Sequence, residues 1–325
     1  MKAIVHDRYG GPEVLRLTDR TMPVPGPEEV VVRVVAAGVD AGVVHLLEGR
    51  PFPVRMALPL RGPRVLGTDV AGVVHAVGER VTEFRPGDEV FGVCPAGGDG
   101  SFAEYARTTA SKLALKPRRL SFHHAAAIPV SATTALQAVR DAAAVRAGQR
   151  VLVLGTAGGV GHFAVQIADA AGARVTGACS TAKMAVVRDL GAETVIDYTA
   201  EDPLHRGPFD VIIDTGGHRS LRSLRRALAP RGTLVLVGSE PEGAPLGGMG
   251  RSMLAGALNP FSRQRLVMLA SAVDRDALTD LSALAEAGKL APTVTATLPL
   301  DRTAEAIRRL GRGHGTGKTV IAVEE

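Results

Sequence analysis

The sequence predicts an α/β protein in which a doubly wound parallel sheet follows a β-rich region, and three observations support this prediction. At roughly 150 residues per domain, 325 residues suggest about two domains. The first 120 residues contain short β-branched runs separated by glycine and proline. From Val151 onward, short apolar runs alternate with amphipathic helical patterns, an order typical of a parallel sheet with helices on both faces.

The β-rich region contains two long β-branched runs, Val30–Ala36 and Val70–Val77. Turn signals recur at Pro23–Pro27, Gly62–Pro63 and Pro86–Gly87. Short strands at this spacing predict an irregular barrel rather than a βαβ sheet.

Near Leu120 the pattern becomes helical, and Ser121 is expected to cap a helix that extends to about Val145. The run Val151–Leu154 is wholly apolar, as a strand buried on both faces should be. Four further parallel strands are predicted at Val175–Cys179, Thr194–Ile196, Val211–Ile213 and Thr233–Val237.

The C-terminal part begins with Glu240–Asn259, which is rich in glycine, proline and methionine and predicts a mobile loop or a short lid helix. A stripe of apolar residues there predicts lid or core; its members are Met249, Met253, Leu254, Leu258 and Phe261. The remaining predicted elements are a sixth strand at Arg265–Val273, a helix to Ala287, a strand near Val294–Thr297, a helix at Thr303–Leu310 and a last strand at Thr319–Val323.

The composition is that of an ordered protein, with 46% apolar and 22% charged residues. No apolar run approaches the roughly 20 residues that a membrane helix needs. The charged start, Met1–Gly10, is not typical of a signal peptide. The two cysteines, Cys94 and Cys179, argue against a disulfide framework or a cysteine-rich zinc site. We therefore expect a cytoplasmic protein that does not bind membranes.

The net charge is +5, and 32 of the 38 basic residues are arginine. Codon bias is one interpretation of this excess, and a nucleic-acid surface is another. The densest cluster lies on the polar side of a helical pattern, and aromatic residues that could stack on bases make up only 3% of the chain. These observations favour an anionic cofactor and argue against nucleic acid; the cluster consists of Arg219, Arg222, Arg225 and Arg226.

A glycine-rich turn follows the first parallel strand. Gly155, Gly158 and Gly161 are spaced three apart, although Ala157 and Val160 occupy two glycine positions of the literal GxGxxG pattern. Such a turn allows the backbone to approach a pyrophosphate at the positive end of a helix. A doubly wound domain without bound phosphate is the alternative. The candidate cofactor-binding residues are Gly155, Ala157, Gly158, Gly159, Val160 and Gly161.

The residues at the end of the second parallel strand indicate whether a Rossmann domain prefers NAD or NADP, because an acidic residue there would bind the ribose diol of NAD. The segment Cys179–Lys183 contains no Asp or Glu. Ser180 and Lys183 can instead bind a 2′-phosphate, so the sequence favours NADPH. A helix cap at Ser180 and a solvated Lys183 are the structural alternative, and both roles can coexist.

The motifs that indicate a known family extend over nearly the whole chain. They are Val65–Val74, Arg85–Gly92, Gly100–Tyr105, Ala126–Leu136, Gly155–Gly161 and Leu190–Tyr198. On these motifs the chain resembles the medium-chain dehydrogenase/reductase superfamily, and most closely its zinc-independent quinone oxidoreductase branch.

The resemblance implies a GroES-like β-rich catalytic domain of residues 1–124 and 274–325, with a Rossmann domain of residues 125–273 inserted between them. It implies a cleft that holds the nicotinamide, and a homodimer joined through Leu266–Val273. It also implies cofactor contacts at Thr134, Tyr198, Gly238, Ser239 and Lys318.

The resemblance also allows the catalytic zinc site to be compared residue by residue. Zinc enzymes of the superfamily use Cys, His and Cys where this chain has Asp40, Thr68 and Val130. Because a catalytic zinc needs about three protein ligands of N, S or O type, we expect no metal here. The implied reaction is direct hydride transfer from NADPH to a small quinone or α,β-unsaturated carbonyl.

The candidate catalytic residues are Asp40, His45 and Thr68. Relatives usually have Asn at position 40 and Asp where this chain has Val43. His45 could donate a proton or could be a structural histidine, and Asp40 could be a turn residue. Two alternative functions stay open: an enoyl reductase acting on a biosynthetic intermediate, and an NADPH-binding sensor or structural protein.

Overall fold

The computed structural model describes residues 1–50, 53–60, 62–95, 98–237, 249–311 and 315–324. The chain divides into two compact units, one of residues 1–133 with 273–325 and one of residues 134–272. The strands, in chain order, are β1 (Lys2–His6), β2 (Arg16–Asp19), β3 (Glu29–Val39), β4 (Arg64–Val65), β5 (Asp69–Val77), β6 (Glu89–Val93), β7 (Tyr105–Thr109), β8 (Leu113–Leu115), β9 (Arg150–Leu154), β10 (Arg174–Cys179), β11 (Thr194–Asp197), β12 (Phe209–Asp214), β13 (Leu228–Leu236), β14 (Arg265–Met268), β15 (Val294–Pro299) and β16 (Lys318–Ala322).

The α-helices are α1 (Ala41–Glu48), α2 (Pro53–Ala57), α3 (Phe122–Ala126), α4 (Pro129–Leu136), α5 (Gly161–Ala170), α6 (Met184–Asp189), α7 (Leu221–Arg226), α8 (Met249–Leu258), α9 (Arg275–Glu286) and α10 (Thr303–Gly311). None of the helices in the described ranges combines the length and the apolar character that crossing a bilayer requires.

The first unit is built on a sheet with the strand order β15-β16-β3-β5-β6-β8, and β7 pairs with β3. Its strands are antiparallel except for the parallel pair β15 and β16. The central strand β3 is rich in valine and almost wholly buried, because strands pair with both of its edges and apolar side chains pack on it. A smaller sheet has the order β2-β1-β4.

The second unit is a six-stranded parallel sheet with the order β11-β10-β9-β12-β13-β14. The five predicted apolar strands are all present, and β13 begins at Leu228, earlier than predicted. The predicted sixth strand ends at Met268 rather than Val273. The chain order reverses between β9 and β12, which creates the crevice where α/β sheets bind ligands.

The helix predicted from Ser121 to Val145 is interrupted in the structure. Ser121 Oγ does cap α3, accepting a hydrogen bond from His124 N at 3.3 Å. However, α3 ends at Ala126, α4 begins at Pro129, and a π-helical segment follows at Gln137–Ala142. Proline is well suited to a helix start because it lacks the N–H that a preceding turn would use.

The boundary between the two units also differs from the predicted one. The first unit extends to residue 133 rather than 124, because α3 packs against β3 and β5. The second boundary lies between residues 272 and 273 rather than 273 and 274. Of the predicted lid, Met249–Leu258 is a helix, and residues 240–248 lie outside the described residues.

Helix α9 begins at a capping aspartate whose loss should be measurable. Asp274 Oδ1 accepts a hydrogen bond from Ala277 N at 2.9 Å. Asp274→Ala removes this acceptor and is expected to lower the free energy of unfolding by about 1 kcal/mol, measured by urea denaturation. Asp274→Asn keeps an acceptor oxygen and should remain near the wild type. An equal loss in both variants would contradict the capping role.

Candidate functional site

The glycine turn after β9 has the backbone geometry that a dinucleotide cradle requires. Gly155 has φ of +76°, in the left-handed region that favours glycine, and a Cβ there would lie 2.5 Å from Thr215 Oγ1. Gly161 opens α5, and a Cβ there would overlap the carbonyl oxygen of Gly155. Both positions therefore require glycine, and the residues fit a bound pyrophosphate.

The start of α5 is available to an anion. Its first turn is not capped by a side chain in the described residues. The turn itself is ordered by backbone hydrogen bonds, with Gly158 N donating to Gly155 O at 3.0 Å and His162 N donating to Gly158 O at 3.2 Å. Because the helix dipole places positive charge at this end, the amides near Gly159, Val160 and Gly161 favour a phosphate.

Three polar residues that the sequence analysis missed support this turn. Thr156 Oγ1 donates to Ala178 O at 2.6 Å, which links the turn to β10. Thr215 Oγ1 donates to Leu154 O at 2.7 Å, which links it to the end of β12. Asp214 Oδ1 accepts from Gly216 N and Gly217 N at 3.2 and 3.1 Å. The signal in the sequence was Asp-Thr-Gly-Gly directly after an apolar strand.

The residues predicted to select the cofactor lie at the end of β10. Ser180 follows Cys179 and begins a 3-10 turn of Thr181–Lys183, with Lys183 N donating to Ser180 O at 2.9 Å. Tyr198 N donates to Cys179 O at 3.0 Å, so Tyr198 is brought to the same sheet edge. Its side chain is exposed. The structure thus places Ser180, Lys183 and Tyr198 along one edge of the second unit.

One carboxylate at this edge is not predicted by the sequence motifs. Asp197 ends β11 directly beside Cys179 in the sheet register. Hydrogen bonds from Thr181 and Thr199 lower the pKa of Asp197, so it is ionised at neutral pH. Burial raises the pKa of the Cys179 thiol and Asp197 adds to this, whereas the charges of Lys183 and Arg188 oppose it. Two cations therefore accompany the carboxylate at this edge.

The candidate catalytic residues Asp40 and Thr68 are in contact in the first unit. Thr68 Oγ1 donates to Asp40 Oδ2 at 3.2 Å. Asp40 also caps α1, with its Oδ1 accepting from Val43 N at 3.2 Å, so the turn role considered for Asp40 is present. His45 lies further along the same helix and is half-buried.

A buried ion pair lies beside this contact. The ammonium of Lys318 is 2.9 Å from Ser131 Oγ, to which it donates, and 3.4 Å from Asp69 Oδ2. Asp69 Oδ1 accepts from Val130 N at 2.9 Å. Burial raises the pKa of Asp69 to about 7; the charge of Lys318 opposes this rise and that of Asp40 adds to it. The pair ties β5 and β16 to the start of α4, where Val130 and Ser131 lie.

The remaining predicted residues are placed as follows. Lys318 is 3% exposed, so its ammonium serves the buried pair, and its contact with a pyrophosphate stays a prediction. Thr134 lies on α4 and is half-buried. Gly238 and Ser239 lie outside the described residues. Across the described ranges, no group of three or more His, Cys, Asp or Glu side chains could hold a metal ion.

Comparison with known proteins identifies the family. Residues 26–118 match the alcohol dehydrogenase GroES-like domain family, and residues 190–321 match a family described as zinc-binding dehydrogenase. The bovine protein named NAD(P)H oxidoreductase RTN4IP1, mitochondrial, is 34% identical over 99% of this chain and 89% of its own length. The chain belongs to the medium-chain dehydrogenase/reductase superfamily.

Solved structures place this member of the superfamily in its quinone oxidoreductase branch. The quinone oxidoreductase from Coxiella burnetii has a TM-score of 0.87 and 30% identity, and the match covers 100% of this chain and 99% of that one. The Escherichia coli quinone oxidoreductase, solved with NADPH, has a TM-score of 0.84 and 25% identity over 99% and 100% of the two chains. The predicted fold class, a GroES-like domain with an inserted Rossmann sheet, is thereby confirmed.

The role of the glycine turn in cofactor binding can be tested by a substitution that adds one methyl group. Gly161→Ala is expected to weaken NADPH binding by at least about tenfold, because the new Cβ must push Gly155 O away from its position. Isothermal titration calorimetry measures the loss. Gly256→Ala is the matched control, since a Cβ there meets nothing within 4 Å. Equal NADPH affinities in the two variants would contradict the role of the turn.

The buried carboxyl of Asp69 should make stability depend on pH. Its folded-state pKa of about 7 lies above the unfolded value of 3.8, so the folded protein binds this proton more tightly. The contribution of Asp69 is therefore fully present below about pH 4 and is lost as pH rises to about 7, by at most about 1.4 kcal/mol per pH unit.

The measurement is urea unfolding of the wild type and Asp69→Asn between about pH 4.5 and 7.5. The stability of the wild type relative to the variant should fall as pH rises through this range. Asp189→Asn changes an exposed carboxylate and serves as the control. Parallel stability curves for the wild type and Asp69→Asn would rule out a raised pKa at this position.

Proposed function

We propose that this protein is an NADPH-dependent oxidoreductase that transfers hydride to a quinone or an α,β-unsaturated carbonyl without a metal ion. The glycine cradle of Gly155 and Gly161 is the observation that carries this proposal, because it suits a pyrophosphate and excludes larger side chains. The names of the bovine and bacterial relatives, which specify NAD(P)H and quinone oxidoreduction, support it.

The chain's own residues would bind the cofactor in parts. The amides of the turn Gly155–Gly161 would hold the pyrophosphate, and Ser180, Lys183 and Tyr198 would surround the adenosine phosphate. We retain Thr134, Gly238, Ser239 and Lys318 as proposed contacts. When bound, NADPH supplies the hydride, and the protein supplies binding and orientation.

The preference for NADPH depends on the charges at the end of β10. Asp197 would repel a 2′-phosphate, but its carboxylate already accepts hydrogen bonds from Thr181 and Thr199. Lys183 and Arg188 supply two positive charges near Cys179. No acid is present in the segment Cys179–Lys183, where NAD enzymes place one. We therefore assign the 2′-phosphate to Ser180 and Lys183.

Asp40, Thr68 and His45 are the residues we assign to the reaction. Hydride addition to an enone or quinone leaves charge on an oxygen, which must be stabilised and then protonated. Thr68 Oγ1 is oriented by its hydrogen bond to Asp40, and Asp40 is itself fixed at the start of α1. We assign His45 as the proton donor, because imidazole is the side chain that most often acts as a general acid or base.

The donor set at the zinc-equivalent positions supports the proposed metal independence. Asp40 offers one oxygen ligand, Thr68 a neutral hydroxyl that is a poor zinc ligand, and Val130 no side-chain donor. A catalytic zinc needs about three donors of the Cys, His or carboxylate type. The substrate carbonyl would therefore be polarised by protein hydrogen bonds rather than by zinc.

A homodimer through Leu266–Val273 completes the proposal. Strand β14 lies at the end of the described six-stranded sheet and pairs with β13. Its Met268 side chain is 55% exposed, whereas Leu266 is buried. An edge strand that presents an apolar side chain suits pairing with a second copy.

The test is stopped-flow mixing of NADPH or NADH with a panel of quinones, small enones and carrier-bound enoyl thioesters. We expect NADPH oxidation by a quinone or small enone, unchanged after dialysis against EDTA, with kcat/KM at least about tenfold above that for NADH. Lys183→Ala should lower the NADPH to NADH ratio about fivefold or more, because a charged hydrogen bond to phosphate is lost. Lys289→Ala removes an exposed lysine elsewhere and should leave the ratio unchanged.

The same panel separates the alternatives. Oxidation of NADPH by the enoyl thioesters alone would support a biosynthetic enoyl reductase and contradict the proposed substrate class. Tight NADPH binding with no oxidation by any acceptor would contradict an enzymatic role and support a sensor or structural protein. Loss of the rate in EDTA, restored by zinc, would contradict metal independence.

A further inference from the structure

A cavity of about 380 Å³ lies between α7 and α8 in the second unit. Its volume is within the range of about 300–1,000 Å³ that is typical of small-molecule pockets. Three leucines from the two helices provide its apolar surface, and three arginines of α7 line the same space. The leucines are Leu221, Leu254 and Leu258, and the arginines are Arg222, Arg225 and Arg226.

The cavity brings together two patterns that the proposed reaction does not use. Three of the four residues of the arginine cluster lie on α7, and four of the five residues of the apolar stripe that predicted a lid or core lie on α8. Leu254 is 51% exposed, so part of the stripe does not lie in the protein core. A half-exposed apolar wall beside charged side chains is a feature of ligand and interaction sites.

The arginines differ in how firmly they are held. Arg225 donates to Gln264 Oε1 at 3.1 Å and to Ser262 Oγ at 3.2 Å, so its guanidinium is positioned beside the cavity. Arg222 and Arg226 are exposed, on the first and last turns of α7. A guanidinium held by hydrogen bonds next to two exposed ones suits an anionic group with several oxygens, since arginine forms paired hydrogen bonds to phosphate and carboxylate oxygens.

The described segments around the cavity are rich in arginine. Residues 215–237 and 249–273 contain eight arginines and no Asp or Glu. Two of these arginines are paired, Arg219 with Asp202 and Arg251 with Asp214. Within the described ranges the three cavity arginines have no carboxylate partner, so their positive charges are available to an anion.

We propose that this cavity binds an amphiphilic anion, namely a single alkyl chain that ends in a phosphate or carboxylate group. The alkyl chain packs on Leu254 and Leu258, and the anionic head contacts the arginines of α7. Among the cofactor residues that the structure describes, neither those in the turn at residues 155–161 nor those in the segment 180–198 line the cavity. The inference therefore does not depend on the proposed function.

The test is isothermal titration calorimetry of the full chain with dodecyl phosphate below its micelle concentration. We expect one site per chain. Inorganic phosphate and dodecanol, which each lack one half of the ligand, should bind at least about tenfold more weakly. Binding of both dodecanoate and dodecyl phosphate would show that the arginines accept either anionic head group. Binding of dodecyl phosphate without binding of dodecanoate would support the proposal for alkyl phosphates only. Saturating NADPH should leave the affinity for dodecyl phosphate within about twofold, since none of the proposed cofactor residues in the described ranges lines the cavity.

Variants assign the binding to the cavity. The double substitution Arg222→Gln with Arg226→Gln should weaken dodecyl phosphate binding at least about tenfold, and Leu254→Gln at least about threefold. Both sets change exposed helix positions to a good helix former, so the fold should persist. Arg231→Gln is the matched control, because Arg231 is exposed and lies outside this cavity.

Four results would overturn the proposal. These are equal affinity for dodecanol and dodecyl phosphate, equal effects of the arginine pair and the Arg231 control, displacement by NADPH, and absence of binding heat. A second copy of the chain is the other possible occupant of the cavity, and sedimentation of the same variants tests it. If the arginine substitutions dissociate a dimer and dodecyl phosphate does not bind, the cavity is a subunit interface and the ligand proposal is wrong.

Discussion

The close approach of two backbone segments at the end of β9 is the constraint on which the second unit depends. Gly155 turns the chain in the left-handed region, and Gly161 lets α5 begin against the Gly155 carbonyl. Thr156 and Thr215 then tie this turn to the neighbouring strands by hydrogen bonds to Ala178 and Leu154. The amides of α5 are thus held rigidly at the switch point of the sheet, where a phosphate gains most from the helix dipole.

The first unit contains a pair of ionisable side chains inside its β-rich core. Asp69 and Lys318 are both nearly inaccessible to solvent, and each has a second polar partner, Val130 N and Ser131 Oγ. A buried pair of this kind contributes little net stability, but leaving one member alone would be costly. Its benefit is positional, because it holds one backbone segment against two strands. The nearby Asp40 keeps its own partners in Thr68 and the start of α1.

The distribution of charge in the second unit follows from the same balance between burial and partners. Asp214 is buried and meets both the glycines after β12 and the guanidinium of Arg251 on α8. The arginines of α7 face a cavity instead, and acids are absent from the surrounding described segments. Part of the positive charge of the chain is therefore concentrated on one part of the Rossmann unit, where it can act on a ligand.

The strand–helix alternation, the glycine turn and the family could be predicted from the sequence, because these depend on local periodicity and on residues adjacent in the chain. The sequence patterns missed the interruption at Pro129 and the carboxylate of Asp197, since the first breaks a continuous alanine-rich pattern and the second lies on a neighbouring strand. The folded structure was needed to show that Lys318 pairs with Asp69, 249 residues away, and that arginines of α7 and leucines of α8 line one cavity. Such contacts depend on how distant elements pack, and no local propensity encodes that packing.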